Sequence, residues 1–248
     1  MAGRLLHATL GDPYSNVALE EVLFTGLRVP TLRVWSNQRC VVVGRAQLAA
    51  AETDVGYCGR NSVPVVRRFT AGGAVYNGPG NMNWSFLVPR AQEGGRPALG
   101  DANGVFSSFA AKVVQALRSC GAECEFRPPN AIFDGRGKVS GMAAYISSRG
   151  VLCHGTLLVA ADLAEVESLT RPRGGALLPR YPRSRAARVS NCGVDPARFA
   201  AELARASGFG PEAGGLTAAE EESVGSLVAS KYSRDSWNLG DPFALDEL

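Results

Sequence analysis

The sequence predicts an α+β domain of mixed α/β character, with a mostly antiparallel mixed sheet flanked by helices. Short alternating or β-branched runs are separated by Gly, Asn and Pro, residues that punctuate strands into turns. A smaller set of segments carries apolar residues at helical spacing. The order of these elements is not the regular strand–helix alternation of a doubly wound parallel sheet.

Taken in chain order, Asn16 to Leu27 has helical spacing, with Ser15 or Asn16 placed to cap it. Thr31 to Trp35 alternates, and Cys40 to Val43 is β-branched after a polar turn, so the two are expected to form a hairpin. Val63 to Val66, Ala74 to Tyr76 and Asn83 to Val88 are three further strands. An amphipathic helix is predicted over Val105 to Ser119, ending near Gly121. Strands at Lys138 to Ile146 and Val151 to Val159 flank the turn Ser147-Ser148-Arg149-Gly150. Helices follow at Leu163 to Leu169, Pro196 to Ala206 and Thr217 to Tyr232. The stretch Thr170 to Arg188 is rich in Arg, Pro and Gly and reads as a solvated loop or a mobile basic lid.

With 248 residues and ordinary apolar content, the expectation is a single domain over 1–248. A formal charge of +3 argues against bulk nucleic-acid binding and is compatible with a local basic patch facing an acidic partner. No apolar run approaches the roughly 20 residues needed to span a bilayer. A cytoplasmic protein is expected, or a mitochondrial one if the source is eukaryotic. The terminal LDEL resembles a retention string without an entry signal to act on. Six cysteines and only two histidines, with no CxxC pair, read as reduced thiols rather than a metal site.

Four stretches carry chemistry. In Arg67-Arg68-Phe69-Thr70-Ala71-Gly72-Gly73-Ala74-Val75-Tyr76, arginines end a strand and a glycine pair turns the chain. Such a turn lets backbone N–H groups approach an anion, and guanidinium forks suit phosphate or carboxylate. On spacing alone, a hairpin turn with surface arginines fits as well. In Gly80-Asn81-Met82-Asn83-Trp84-Ser85-Phe86, the asparagines share one strand face, and Met82, Trp84 and Phe86 share the other. In Asp134-Gly135-Arg136-Gly137-Lys138-Val139-Ser140-Gly141, a glycine-rich turn delivers Lys138 onto a strand start beside small residues. In Cys153-His154-Gly155-Thr156-Leu157, a histidine lies at the base of an apolar strand, as a pocket wall or as a satisfied core residue.

The collinear strings RRFTAGGAVYNGPGNMNWSF, NAIFDGRGKVSG, HGTLLVAADL and ARVSN resemble the lipoate–protein ligase A family. SNVALEEVLF, VVVGRAQ and YSRDSWNLG extend the resemblance over almost the whole chain. It implies a biotin/lipoate ligase-type catalytic domain. It also implies ATP-dependent activation of lipoate to lipoyl-AMP, then transfer to a lysine on a lipoyl domain of a 2-oxoacid dehydrogenase complex or on a glycine cleavage H protein. Mg²⁺ is expected to bridge phosphate oxygens. The resemblance places Arg68 near the nucleotide phosphates, and Gly72, Gly73, Ala74, Val75 and Tyr76 along the adenylate and acyl tail. Lys138 holds the acyl carbonyl and phosphoryl oxygens; Asn130 precedes its strand, and Gly141 leaves room for the ligand. Val75, His154 and Leu157 are expected to line the acyl pocket.

The chain departs from the family pattern at Ala71, at Asn77-Gly78 and at Ala131, where a carboxylate is replaced. The accessory C-terminal domain of longer ligases is expected to be absent, so a separate accessory subunit is a possible partner. Two other readings stay open. One is an octanoyl or lipoyl transferase using a preactivated donor, with Cys192 as thioester nucleophile if its pKa is lowered. The other is a noncatalytic module that binds lipoyl domains.

Overall fold

Polar turns and strand registers carry two sheets in the computed structural model, which describes residues 3–90, 102–171, 180–210 and 213–245. Arg173 of the basic stretch and the last three residues of LDEL lie outside the described residues.

The N-terminal half runs β1 (Arg4–His7), α1 (Pro13–Thr25), β2 (Thr31–Trp35), β3 (Cys40–Val43), α2 (Ala49–Glu52), α3 (Val55–Arg60), β4 (Val65–Arg67), β5 (Val75–Asn77) and β6 (Asn81–Pro89). Then come α4 (Ala102–Ser119), β7 (Glu125–Arg127), β8 (Ala131–Phe133), β9 (Lys138–Ile146), β10 (Gly150–Leu158) and α5 (Leu163–Leu169). The remainder is α6 (Pro196–Ser207), β11 (Ala213–Gly214), α7 (Ala218–Leu227), a π-helical turn at Val228–Tyr232, and α8 (Asp235–Asn238). Among the described residues one sheet has the order β11-β1-β2-β6-β10-β9-β8-β7, and a smaller one β4-β3-β5. Pairing is antiparallel except at β1–β11, β1–β2 and β3–β4. The mixed, mostly antiparallel architecture is the one expected.

The expected hairpin of Thr31–Trp35 with Cys40–Val43 does not form. β2 pairs with β1 and β6 in the large sheet, whereas β3 lies between β4 and β5 in the small one. Both strands are buried along their whole length. A strand buried on both faces takes partners on both edges, and a continuous run such as CVVV marks that situation. The first helix also starts earlier than expected. Asp12 caps it by accepting from the Ser15 backbone N–H at 2.9 Å, and Pro13 occupies the first turn. Asn16 is instead buried inside, donating to Leu10 O and Asn37 Oδ1.

Two apolar layers sandwich the large sheet. Phe109, Val113 and Leu117 of α4 and Phe199 and Leu203 of α6 pack beneath it on Trp84, Phe86, Ile132 and Leu157. On the other side α1, the small sheet and the C-terminal helices enclose Phe24, Val42, Tyr232 and Trp237. Alternation therefore decides what faces the gap between the sheets. In β6, Met82, Trp84 and Phe86 go into the core beneath, as expected, and Asn83 and Ser85 are left facing the gap.

Candidate active site

Register stacks the gap-facing residues into two rungs. Ser85 on β6, His154 on β10 and Ala143 on β9 form one; Asn83, Thr156 and Gly141 form the next. Across from them stands the glycine turn between β4 and β5. Between the two walls lies a cavity of about 580 Å³, lined by Arg68, Gly73, Ala74, Val75, Lys138 and His154 among others. A second lobe of about 670 Å³ shares Ala74, Val75, Lys138, Gly141, Thr156 and Ser184 with the first. Lys138 thus sits where the two lobes meet.

The far end of the first lobe is walled by Val17, Trp35, Val42 and Val75, with Glu20 and His154 as its polar groups. Glu20 is 2 % exposed. It accepts from His154 Nδ1 at 2.9 Å and from Ser85 Oγ at 2.5 Å. Burial alone would raise its pKa, but His154 and Arg33 hold the carboxyl below its ordinary value. His154 Nε2 lies 2.9 Å from Thr70 Oγ1, which accepts from Arg68 Nε at 3.0 Å. A buried polar chain therefore runs from Glu20 on α1 to the glycine turn.

Arg68 organises that turn. Its guanidinium donates to Val42 O, to Ala71 O at 2.8 Å and to Gly73 O at 2.9 Å. Four directed bonds on one buried group hold the turn's carbonyls inward, and burial lowers its pKa to about 10. Gly72 has φ +102°, in the left-handed region that a side chain resists, and a Cβ there would approach Arg68 and Ala143 within 3.0 Å. Of the turn, Gly73, Ala74 and Val75 line the first lobe, and Tyr76 lines the second while its hydroxyl donates to Glu165 at 2.6 Å.

Lys138 is only partly exposed, and its ammonium has no side-chain partner among the described residues. Burial pushes its pKa below the ordinary lysine range. The room expected at Gly141 belongs first to the lysine: a Cβ at Gly141 would lie 2.8 Å from Lys138 Nζ. Asn130 donates from Nδ2 to Met142 O at 2.6 Å and lines the first lobe near the Arg127–Pro129 rim. The backbone of Lys138 is clamped by Arg188 O and by Ser190 N, which joins β9 to the 183–189 strap.

That strap is pinned by groups the sequence did not advertise. Glu52, fully buried, accepts from Arg183 Nε at 2.9 Å and from Ser184 N at 3.1 Å. Ser184 Oγ in turn accepts from Ala74 N at 2.7 Å and from Gln47 Nε2 at 3.2 Å.

Two expected site residues lie elsewhere. Leu157 is one residue out of phase with Thr156, so it packs into the core beneath the sheet instead of lining the acyl pocket. Cys192 lines neither lobe; it packs partly buried against that same core, and burial raises its thiol pKa instead of lowering it. The geometry that would make it a nucleophile is missing. Glu20, Trp35, Thr70, Thr156 and Glu52 were missed. For Glu20 a signal existed: helical spacing aligns positions 17, 20 and 24, so its carboxylate lies in the apolar stripe of α1.

The arrangement holds one ammonium, without a side-chain partner among the described residues, where two arginine-lined lobes meet, the first of them closed by an apolar far end, which suits joining a carboxylate to a phosphorylated partner. Residues 12–193 match the family model described as the lipoyl protein ligase A/B catalytic domain. The lipoate-protein ligase A subunit 1 of Thermoplasma acidophilum is 27% identical over 262 residues, covering 97% of both chains. A lipoate-protein ligase A structure bound with ATP superposes with TM-score 0.81 at 25% identity, covering 97% of this chain and 100% of that one. The fold also matches a chain from a structural analysis of an archaeal lipoylation system, a bi-partite lipoate protein ligase and its E2 lipoyl domain from Thermoplasma acidophilum, with TM-score 0.82 at 24% identity and 97% coverage of both. Relatives from Aeropyrum pernix and Mycoplasma pneumoniae are 33% and 34% identical over 172 and 158 residues, and the matches span 62% and 44% of their lengths.

Proposed function

The chain belongs to the lipoyl protein ligase A/B catalytic domain family, and from that premise we propose that it activates lipoate with ATP and transfers the lipoyl group to a lysine of a lipoyl domain. The observation that carries this reading is the position of Lys138, unpaired and half-buried at the junction of the two lobes. The first lobe takes the acyl chain against Val17, Trp35 and Val42, with the carboxylate toward Lys138. The second takes the nucleotide phosphates. A lipoate carboxylate oxygen attacks the α-phosphorus, and pyrophosphate leaves with the bridging oxygen. The acceptor amine then attacks the acyl carbonyl, and AMP leaves. Two anions meet in the first step, and the Lys138 ammonium and the backbone N–H groups of the glycine turn offset their repulsion.

The residues do not form a cradle for a resident metal. Among the described residues no three His, Cys, Asp or Glu side chains converge. Glu20 is tied to His154, and Glu167 stands alone on the second lobe. Mg²⁺ enters this reading only as the counter-ion of the nucleotide's own phosphate oxygens. No helix among the described residues is long and apolar enough to cross a membrane.

The test is a mass measurement. Protein, ATP, Mg²⁺ and lipoate are mixed with a lipoyl domain of a 2-oxoacid dehydrogenase, and in parallel with a glycine cleavage H protein. Each is run on the chain alone and with a separate accessory subunit added. The acceptor is expected to gain one lipoyl group, and no gain under any of these conditions would sink the proposal. Cys192→Ser is expected to keep at least about half of wild-type transfer, because a buried thiol outside both lobes has no part in it. Loss of transfer in a folded Cys192→Ser protein would bring back the thioester route.

A further inference from the structure

β9 runs on past the strand that pairs with it. β8 covers it from Lys138 to Gly141, and Asn130 closes the pairing by accepting from Met142 N at 2.9 Å and donating to Met142 O at 2.6 Å. Ala143-Ala144-Tyr145-Ile146 therefore form a free edge of the large sheet among the described residues. Strand parity says which groups that edge leaves bare. Met142 points its backbone outward to Asn130, and Ser147 N points inward to Gly150 O at 3.0 Å. Alternation then turns the N–H and C=O groups of Ala144 and Ile146 outward, where they have no partner among the described residues. Sheets normally guard such a row with charge, proline or brevity. The other two outer strands obey: β7 carries Glu125 and Arg127 and runs into Pro128-Pro129, and β11 is two residues long. The β9 edge has no charge and no proline, and it shows apolar surface instead. Tyr145 is 39 % exposed and Ile146 41 %. Tyr145 stands on the gap face with its ring 5.2 Å from Phe24 and 5.3 Å from Phe69, and Ile146 stands on the opposite face.

Resting on the reading above, we infer that this edge docks the acceptor protein, whose extended segment carrying the target lysine adds as a strand beside Ala144 and Ile146. Continuity with the site commits the edge to that occupant. Ala143 is both the first residue of the free edge and a wall of the first lobe, and Gly72 of the glycine turn lies against it. A strand added there prolongs the line of β8, with one end at the Arg127–Asn130 rim of the same lobe. Neighbours across a ladder share a face, so the added residue opposite Ala143 holds its side chain over the gap. It starts about 5 Å from Ala143, and Gly141, beside Lys138 Nζ, lies about 7 Å along β9. An extended lysine side chain covers that diagonal together with the acyl carbonyl it attacks. Backbone bonds fix the direction of approach, and Tyr145 and Ile146 meet the side chains on either face of the added strand. Arg127 at one end of the edge and Arg149 at the other favour carboxylates flanking that lysine. Two copies of this chain paired edge to edge would instead set arginine against arginine.

Amide hydrogen exchange read by NMR tests the pairing apart from ligation. The wild-type chain is mixed with saturating lipoyl domain or H protein whose target lysine is replaced by arginine, with and without lipoate and ATP. With at least one of them, the amides of Ala144 and Ile146 are expected to exchange at least about tenfold more slowly. Those of Ala143 and Tyr145, already bonded to β10, should change less than about threefold. Ala144→Pro removes one outward N–H and leaves the bonds to β10 in place. It is expected to raise KM for the unaltered acceptor by roughly tenfold or more. Lipoate-dependent ATP–pyrophosphate exchange, which needs no acceptor, should stay within about threefold of wild type. Unchanged exchange at Ala144 and Ile146 with both acceptors would overturn the inference, and so would an unchanged KM in a folded Ala144→Pro protein. Slowing that appears as the concentration of this chain alone is raised would mean that the edge pairs with a second copy, and the assignment would be wrong. Slowing by an acceptor that no condition lipoylates would leave this inference standing and count against the proposed function.

Discussion

Lys138→Met is expected to lower the rate of adenylate formation by roughly a hundred- to a thousandfold, because one preorganised donor on a developing charge is worth about 2.7–4 kcal/mol. The same substitution is expected to make the protein more stable. The ammonium is partly withdrawn from water at the junction of the two lobes and has no side-chain partner among the described residues. An unpaired charge held away from water costs folding free energy, and a methionine of similar length does not carry that cost. A gain of about 1 kcal/mol corresponds to roughly 2–4 °C in Tm for a chain of this size. The pH dependence follows from the direction of the shift. The folded-state pKa lies below the unfolded value of about 10.4, so the unfolded chain binds more protons in the window between them. Wild-type stability therefore rises with pH across that window. The advantage of Lys138→Met is full below the folded pKa and fades as pH approaches about 10.4. Activity moves the opposite way. Raising pH removes the ammonium, so kcat/KM for ATP is expected to fall on an alkaline limb below the ordinary lysine range. Lys138→Arg, which stays charged, should shift that limb upward. A Lys138→Met protein that melts lower than wild type, or that forms adenylate within threefold of it, would remove both the site and its electrostatic basis.

Much of this was legible in the residues, and the reason lies in element length. The strands and helices long enough to show a period were placed within a few residues. Lys138–Ile146 and Leu163–Leu169 have the expected bounds. Arg4–His7, Glu125–Arg127, Ala131–Phe133 and Ala213–Gly214 are too short to establish alternation and were not seen, whereas the equally short strands at Cys40–Val43, Val65–Arg67 and Val75–Asn77 were marked by β-branched residues between Gly, Asn and Pro. Partners in a sheet are non-local, which is why Thr31–Trp35 and Cys40–Val43 looked like a hairpin although they belong to different sheets. At the site, the glycine turn, Lys138 and His154 were candidates by residue type, but spacing alone left a plain hairpin turn and a core histidine equally open, and it was the resemblance that gave Lys138 and the turn their roles. Glu52 and Ser184 gave no signal, because each acts only through residues distant in sequence: Glu52 holds Arg183, and Ser184 meets Ala74 and Gln47. The slip at Leu157 was one of phase. A one-residue shift moves a side chain to the other face of a strand, and only the register against Met82 and Ser140 fixes which face is which.

The paired arginines show how adjacent identical residues take opposite duties, and they make the second large-effect prediction. Arg67→Lys is expected to cost about 3–5 kcal/mol of stability, whereas Arg68→Lys is expected to cost activity first. Arg67 is completely buried and donates to six carbonyls: Gly44, Arg45 and Gln47 on one side, and Trp237, Asn238 and Gly240 on the other. It binds the loop after β3 to the C-terminal segment, and Trp237 Nε1 returns a bond to Arg67 O at 2.8 Å. A lysine has at most three donors on one atom and cannot reach both groups of carbonyls, so several buried acceptors lose their partner. The loss corresponds to a fall in Tm on the order of 10 °C. Arg68 also bonds Thr70 Oγ1 and Val42 O in the interior, but its bonds to Ala71 O and Gly73 O lie in a turn that is partly exposed, where water can replace a lost donor. Its substitution should therefore loosen the turn without unfolding the chain, misplacing the backbone that faces the ligand. Urea unfolding separates the two duties, since the midpoint reports stability while m reports whether the folded state stays compact. Arg67→Lys is expected to lower the midpoint strongly and keep measurable adenylation at low temperature. Arg68→Lys is expected to lower the midpoint less than Arg67→Lys does and to reduce adenylation at least tenfold, the ~1.4 kcal/mol expected from one lost charge-assisted bond. Equal destabilisation by both substitutions would mean that the glycine turn is part of the fold's support and not a device of the site.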